Sequence, residues 1–262
     1  MLICTLGDLL LDVIVRPDGP LALDGDTPAR ARVGAGGQAA NVAAWAVALG
    51  ARGRVICKRG DDAAGALVAA EAERLGVEVC GPVVPGRSGI VVSLVDGDGR
   101  RTMASDRGVA PELTPEEIDP VWLEDCDLLH VSGYGLLREP IAQAALAAGR
   151  LAPRVSVDLS SAPDIRAFGR GRFRALLAEL GPEVVFANEE ELEVVGPVAG
   201  AVVKLGARGA RFPDGRELPA RPARVVDATG AGDALAAGYL VGGPELALDA
   251  AARCVGRMGA MP

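Results

Sequence analysis

Aromatic residues and histidine are scarce in this sequence, and both scarcities limit what the protein can be. Phe, Trp and Tyr together make up 3% of the 262 residues, so the core must be aliphatic and rich in alanine. His130 is the only histidine, and no Gly-x-Ser-x-Gly motif is present. Catalysis of the Ser-His-Asp or Cys-His type is therefore excluded unless His130 supplies the base. Because His130 lies in the apolar run 128–131, we expect it to be structural.

Cysteine and lysine are also rare enough to be informative. The five cysteines are odd in number and never in Cys-x-x-Cys spacing, so we expect neither a disulfide framework nor a zinc site. Lysine occurs only at Lys58 and Lys204, among 27 basic residues. A lysine that could contact a nucleotide is therefore easy to single out.

The charge balance disfavours several kinds of partner. The 27 basic residues face 35 acidic ones, a net charge of −8, which argues against nucleic acid or an anionic membrane as partner. The N-terminal run lacks a basic leader, and no charge-free run approaches the roughly 18 residues of a membrane span. We therefore expect a cytoplasmic protein.

Apolar runs alternate with helical patterns along most of the chain. This alternation predicts an α/β protein with a parallel sheet that helices cover on both faces. The length allows one large domain or two smaller ones, and we predict a single domain over residues 1–262. The predicted strands are 2–6, 54–57, 77–80, 128–131, 155–158, 184–187 and 201–205, and the predicted helices are 42–49, 64–75, 141–148, 173–180 and 189–195.

Two segments lack helical periodicity and predict a second, smaller sheet. Residues 88–95 and 101–105 flank Asp96-Gly97-Asp98-Gly99, a strong hairpin pattern. We expect this hairpin to join the extended pieces before Gly34 in one small sheet. A second hairpin is predicted at 211–217, and an apolar run that ends at Val226 predicts a further strand.

The stretch from Asp227 to Asp233 is rich in glycine and precedes a run of small, helix-compatible residues. A glycine turn that opens a helix exposes unpaired N–H groups at the positive end of the helix dipole, where phosphate binds well. A carboxylate at this place, as at Asp233, can take the proton from an attacking hydroxyl. It can equally be a simple helix cap. The local pattern leaves both interpretations open.

The stretch Gly34-x-Gly36-x-x-Ala39 imitates a dinucleotide-binding fingerprint. That fingerprint should follow the first strand and precede an acidic residue at the end of the second strand. Here it comes late, and the next predicted strand ends in Lys58. We therefore reject the match.

Four motifs follow one another in a diagnostic order along the chain. They are Gly36-Gly37-x-Ala39-x-Asn41-x-Ala43 with Gly50 and Gly60 after it, Asn188-x-x-Glu191, the strand and loop 203–210, and Asp227-x-Thr229-Gly230-Ala231-Gly232-Asp233. Together they resemble the PfkB family of carbohydrate kinases, the ribokinase-like kinases, over essentially the whole chain. The resemblance implies a Rossmann-type, doubly wound α/β fold with a small β lid, here segments of about 13–33 and 88–105.

The resemblance also implies a role for each matching residue. The activity would be transfer of the γ-phosphoryl of ATP, with Mg²⁺, to a hydroxyl of a small carbohydrate. Asp233 would be the base, and the amides of Gly230, Ala231 and Gly232 the anion hole. The substrate hydroxyls would be bound by Asp12, Gly36, Gly37 and Asn41. The nucleotide side would be formed by Asn188, Glu191, Lys204, Gly206, Gly209 and Thr229, with Glu191 acting on Mg²⁺ through water.

Further expectations follow from the same resemblance. A K⁺ ion could bind near Asp227 and the C-terminus, and the lid sheet could pair with a second subunit in a homodimer. We expect the dipole of the helix after Gly232 to keep Asp233 ionised at neutral pH. Chemistry of this kind needs positioning and charge neutralisation, so neither histidine nor a Walker A lysine motif is required.

The sequence departs from the family pattern on the nucleotide side and leaves alternatives open. Ala228 stands where Thr, Ser or Pro is more usual, and the segments 191–202 and 212–226 are short, which leaves the nucleotide preference undecided. The substrate could be ribose, fructose, a 2-keto-3-deoxy sugar acid, a phosphorylated sugar or a nucleoside. A non-catalytic sugar-binding protein and a nicotinamide-linked oxidoreductase are the alternatives from other classes.

Overall fold

The structure, a computed structural model, describes residues 1–97 and 101–262. Its strands, in chain order, are β1 Leu2–Leu6, β2 Leu10–Pro17, β3 Ala29–Gly36, β4 Arg52–Ile56, β5 Arg59–Gly60, β6 Val77–Cys80, β7 Val83–Val84, β8 Ser88–Val95, β9 Arg101–Gly108, β10 Leu128–Ser132, β11 Val155–Asp158, β12 Val184–Asn188, β13 Ala201–Lys204, β14 Ala210–Arg211 and β15 Glu217–Leu218.

The central sheet has the order β15-β14-β13-β12-β11-β10-β1-β4-β6. Neighbouring strands are parallel from β6 to β13, and β14 and β15 add the predicted hairpin as antiparallel strands at one edge. All five residues of β1 are buried, as expected for a parallel strand covered on both faces. The predicted mainly parallel α/β sheet is confirmed.

Helices cover both faces of this sheet. They are α1 Gln38–Ala48, α2 Ala63–Arg74, α3 Gly133–Leu136, α4 Ile141–Leu151, α5 Ala162–Phe168, α6 Arg170–Leu180, α7 Glu189–Val195 and α8 Ala231–Val255. Helix α8 is broken at Gly242 and Gly243, whose backbone angles are not helical, just before Pro244. One face carries a large aliphatic core that includes Leu146 and Phe173. On the other face the helices contribute Trp45 and Leu235.

The small sheet has the order β3-β2-β8-β9, and we call these four strands the lid sheet. Strands β2 and β3 are antiparallel, β2 and β8 are parallel, and β8 and β9 are antiparallel. The expected small sheet is therefore present: β8 has the predicted bounds, and β2, β3 and β9 extend three residues beyond the predicted segments. The predicted turn between β8 and β9 includes Asp98 and Gly99, which lie outside the described residues.

The strand predicted before Asp227 is wrong. The chain from Pro219 to Val226 forms neither strand nor helix, and Val225 is 67% exposed. Pro219 and Pro222 lack the N–H that a sheet ladder needs, so the edge of the sheet ends at β15. Within the part of the chain that the structure describes, no helix is both long and apolar enough to cross a bilayer.

Candidate active site

A tight turn at Gly230 presents the first amides of α8 to the site. Gly230 has a φ of 75°, in the left-handed region that favours glycine, and a Cβ there would lie 2.5 Å from the Cβ of Ala260. No side chain caps this helix end. The amides around Gly230, Ala231 and Gly232 therefore lie at the positive end of the helix dipole, where an anion can bind, and the Ala231 amide here donates a long hydrogen bond of 3.4 Å to the Ala228 carbonyl.

Asp227 holds this turn against the C-terminal segment. Its carboxylate accepts a hydrogen bond from the Thr229 amide at 2.8 Å and one from the Gly259 amide at 2.9 Å. Burial opposes ionisation, but these hydrogen bonds outweigh it and keep the pKa of Asp227 below its usual value. The indole N–H of Trp45 donates to the Ala260 carbonyl at 2.8 Å and fixes the same segment from the other side.

Asp233 lies in the first turn of α8, beside a residue of α1. The Nδ2 of Asn41 donates to its Oδ2 at 2.7 Å, so the two glycine-rich stretches of the sequence meet here. Burial raises the pKa of Asp233 to about 7, and repulsion from Asp158 adds to this, against the lowering effect of Asn41, Lys204 and Gln38. Asp233 was expected to be ionised at neutral pH, but because desolvation raises its pKa to about 7, it is only partly ionised there.

Asn41 has spare hydrogen-bonding capacity next to this base. Its side chain is buried, and its Oδ1 has no hydrogen-bond partner among the described residues. An unpaired buried acceptor is costly unless a ligand supplies the donor. A substrate hydroxyl could do so.

Asp12, Gly36 and Gly37 lie where the lid sheet meets α1. A Cβ on Gly36 would lie 2.1 Å from the Oδ2 of Asp12, so only glycine leaves room for that carboxylate. A Cβ on Gly37, whose φ is 97°, would lie 2.4 Å from the carbonyl oxygen of Asp8. Burial raises the pKa of Asp12 to about 6, with a further contribution from Asp227. Within residues 1–97 and 101–262 no cation forms an ion pair with this carboxylate, so it suits hydroxyl donors.

Lys204, at the end of β13, is held close to the start of α8. Its ammonium donates to both carboxylate oxygens of Asp158, at 2.9 and 2.7 Å. It also lies 3.6 Å from where a Cβ of Gly232 would be. Burial alone would lower the pKa of Lys204, but Asp158 and Glu191 raise it above its usual value. A fixed positive charge thus stands beside the helix N-terminus.

Asn188 and Glu191 form a capping box at the start of α7. Asn188 Oδ1 accepts from the Glu191 amide at 2.8 Å, and Glu191 Oε2 accepts from the Asn188 amide at 2.8 Å. Burial raises the pKa of Glu191, as does repulsion from Asp158, while Lys204 lowers it. In the described residues no three metal-ligating side chains cluster. The proposed action of Glu191 on Mg²⁺ through water stays a prediction.

The remaining predicted nucleotide residues lie on two loops. Gly206 and Gly209 have φ values of 61° and 109°, and a Cβ on Gly209 would clash with the carbonyl of Leu218. Their glycine identity is explained by the turn into β14. Thr229 accepts a hydrogen bond on its hydroxyl from Arg101 of the lid sheet. The lid sheet is therefore bound directly to the anion-binding turn.

Sequence reasoning missed three residues of this site. Asp158 ends a strand that was predicted correctly, and the rule that chemistry collects at the carboxyl ends of parallel strands could have found it. Gln38 lies inside a quoted motif and lowers the pKa of Asp233. Arg101 belongs to none of the four motifs. Its contact with Thr229 spans 128 residues, and no local pattern reveals it.

The chain matches the pfkB family of carbohydrate kinases over residues 1–255. It belongs to that family. An ATP-dependent ribose-1-phosphate kinase of Halopiger xanaduensis is 34% identical to it, over 97% of this chain and 92% of the relative. The enzyme is accordingly a phosphotransferase, and the oxidoreductase alternative has no support: the stretch Gly34-x-Gly36 lies at the end of the lid strand β3 and does not follow a strand of the central sheet.

Solved structures of kinases share the fold of this pfkB-family chain. The adenosine kinase of Sinorhizobium meliloti has a TM-score of 0.86 at 23% identity, over 99% of this chain and 95% of that one. An E. coli protein described as a ribokinase II, in complex with ATP and Mg²⁺, has a TM-score of 0.81 at 20% identity, over 99% and 94%. At these identities the likeness shows the ribokinase-like fold.

Proposed function

We propose that this pfkB-family enzyme transfers the γ-phosphoryl of ATP to a hydroxyl of a small carbohydrate, with Asp233 as general base. The observation that carries the proposal is the 2.7 Å hydrogen bond from Asn41 to Asp233 in the first turn of α8. It places a carboxylate, an unpaired buried amide oxygen and a helix N-terminus in one place. A hydroxyl that donates to Asp233 would lie next to amides that can stabilise a transferred phosphoryl group.

The residues of this chain divide the work of the reaction. Asp233 accepts the hydroxyl proton as the oxygen attacks, and Asn41 orients the carboxylate. The amides of Gly230 to Gly232 and the ammonium of Lys204 stabilise the charge on the phosphoryl oxygens. Asp12 binds other hydroxyls of the sugar through charge-assisted hydrogen bonds and so fixes which hydroxyl meets the base.

The amides at the start of α8 and the Lys204 ammonium fit a nucleoside triphosphate with Mg²⁺. Uncapped amides and one fixed cation suit phosphate oxygens, and Mg²⁺ would neutralise charge between the phosphates. The E. coli protein described as a ribokinase II binds both. Because the described residues offer no cluster of three metal ligands, Mg²⁺ would be held through phosphate and water, with Glu191 and Asn188 in the outer shell. A K⁺ ion near Asp227 remains part of the proposal.

The substrate proposal favours a sugar over a nucleoside. The four lid strands contain no Phe, Tyr or Trp on which a base could stack. The Halopiger relative acts on ribose 1-phosphate, which makes ribose and its phosphates the first substrates to test. We also propose that the enzyme is cytoplasmic and pairs through its lid sheet, where Val33 and Met103 are 50% and 55% exposed.

A substrate panel tests the proposal directly. ADP release is measured with ATP and Mg²⁺ on ribose, ribose 1-phosphate, fructose, a 2-keto-3-deoxy sugar acid and nucleosides. We expect turnover with a sugar or sugar phosphate, and a kcat/KM that rises with pH through about 7 as Asp233 ionises. Binding of sugars without any ADP release would identify the non-catalytic alternative. Turnover confined to nucleosides would identify the nucleoside kinase.

A further inference from the structure

The C-terminal segment is tied to the anion-binding turn by several contacts. The Gly259 amide donates to Asp227 Oδ2 at 2.9 Å, and the Trp45 indole N–H donates to the Ala260 carbonyl at 2.8 Å. Ala260 also packs against Gly230, where an added Cβ would lie 2.5 Å from the Cβ of Ala260. Because these contacts are close, the position of the C-terminal segment affects the shape of the turn.

A further contact to this segment comes from the lid sheet. Arg32 on β3 donates a hydrogen bond from its Nη1 to the Met258 carbonyl at 2.5 Å. A Cβ on Gly259 would lie 3.6 Å from the same Nη1 and 3.6 Å from the Cδ1 of Ile14. Ile14 is the residue of β2 that pairs with Arg32. The strands β2 and β3 of the lid sheet therefore both pack on the C-terminal segment.

The same part of the lid sheet carries the carboxylate proposed to bind the sugar. Asp12 pairs with Gly34, two residues along the strands from the pair of Ile14 and Arg32. Asp12, Arg32 and Gly259 line one cavity of about 30 Å³, which has room for about two water molecules. Since so little space separates the lid strands from the C-terminal segment, a shift of these strands would move that segment as well.

We propose that Arg32 is a positioning residue for phosphoryl transfer, which holds the C-terminal segment from the lid sheet and so fixes the amides of the anion-binding turn. This role rests on the proposed function of that turn in binding the phosphoryl group. Arg32 lies on a strand next to the sugar-binding carboxylate, yet its contact acts on the turn that binds phosphate. A guanidinium suits this contact, because a charged donor forms a stronger hydrogen bond to a carbonyl than a neutral donor does.

Arg30 offers a matched comparison on the same strand. Arg30 and Arg32 are two positions apart on β3, so their side chains leave the same face of the sheet, and both are exposed. Among the described residues none hydrogen bonds to or forms an ion pair with the Arg30 side chain. Replacement of Arg30 therefore removes one positive charge from the lid sheet, whereas replacement of Arg32 removes the Met258 contact as well.

Hydrogen exchange tests the contact without any substrate. NMR follows exchange of the Gly259 amide and of the Trp45 indole N–H, the two protons that bind the C-terminal segment to the rest of the protein. In Arg32→Met we expect both to exchange about tenfold faster than in the parent, because the segment opens against one contact fewer. Arg30→Met should leave both rates unchanged, and Arg32→Lys, which keeps a charged donor, should restore most of the protection. Unchanged rates in Arg32→Met would overturn the inference.

Steady-state kinetics test the consequence for the reaction, with whichever sugar the panel identifies. In Arg32→Met we expect kcat/KM for ATP to fall about tenfold while the sugar KM changes less than about twofold, and Arg32→Lys should recover most of the loss. Arg30→Met should match the parent. A sugar KM that rises while the ATP constants stay unchanged would show that Arg32 serves the sugar, and would overturn the inference. Absent turnover in the parent would refute the proposed function instead, and the exchange rates would still decide whether Arg32 holds the segment.

Discussion

Replacement of Asp233 by Asn should stabilise the fold and abolish the reaction at the same time. Burial raises the pKa of this carboxyl from 3.8 to about 7. A carboxyl whose pKa is raised in the folded state binds its proton more tightly there, so below about pH 4 it does not lower the free energy of unfolding. The free energy of unfolding falls progressively as pH rises from about 4 through about 7. The neutral amide of Asn avoids this loss.

The size of the gain follows from the same shift. A pKa raised by about three pH units means that Asp233 lowers the free energy of unfolding by about 4 kcal/mol at pH 8, and by less than half of that at pH 5. These values are upper bounds, because Asn cannot match every contact of the carboxylate with Asn41 and Lys204. We therefore expect Asp233→Asn to add roughly 1–3 kcal/mol to the free energy of unfolding at pH 8. For a domain of this size that raises the Tm by several degrees.

The assay is thermal or urea unfolding of parent and variant at pH 5 and pH 8, combined with ADP release. We expect the stability difference to grow with pH, and kcat to fall by at least about 10³-fold because the base and its orientation are both lost. Asp26→Asn, at an exposed position of the loop between β2 and β3, controls for the general effect of removing one negative charge. Turnover within tenfold of the parent would show that Asp233 is not the general base. A stability difference that does not depend on pH would refute the argument from desolvation.

Three further substitutions probe the other parts of the site. Asp12→Ala should raise the sugar KM at least about tenfold with little change in the ATP KM, because it removes charge-assisted hydrogen bonds worth roughly 2 kcal/mol. Steady-state kinetics in both substrates measure the two KM values. If Asp12 bound the nucleotide instead, the ATP KM would rise and the sugar KM would stay unchanged. Lys204→Met should lower kcat, measured at saturating ATP, by roughly 10²-fold. It should also destabilise the fold, because Asp158 would keep a buried charge without its partner. Unchanged turnover in this variant would mean that Lys204 has only a structural role. Arg101→Gln should lower kcat/KM by roughly tenfold, because it removes the contact between the lid sheet and Thr229. The control Arg30→Gln, on an exposed part of the same sheet, should leave kcat/KM unchanged. Equal effects of the two substitutions would contradict this role of Arg101.

The parts of the fold that local patterns control were predictable. Parallel strands such as β1 and β11 are short apolar runs because both faces are buried, so their positions can be found without a structure. The capping box of Asn188 and Glu191 is visible as two residues three positions apart. The strand predicted before Asp227 failed because hydrophobicity was given more weight than Pro219 and Pro222.

The parts that depend on burial and distant contacts were not predictable. The helix dipole at Asp233 can be inferred from the glycine turn, but the stronger desolvation arises only when α1 packs against α8. The ion pair of Lys204 and Asp158 joins residues 46 positions apart on strands that are not adjacent in the sheet. Gln38 is hydrogen-bonded by Ser132 and Ser160, which lie 94 and 122 positions away in the sequence. Such features follow from the assembled sheet and have no local pattern of their own.

The close packing of Ala260 against Gly230 makes the segment 258–261 a support for the anion-binding turn. Gly259 binds Asp227, Ala260 is bound by Trp45, and the methyl group of Ala260 leaves no room for a Cβ at the anion-binding turn. A larger side chain at position 260 would push on that turn from behind. Directed evolution of catalytic rate or phosphoryl donor choice could therefore draw useful variants from residues 258–261.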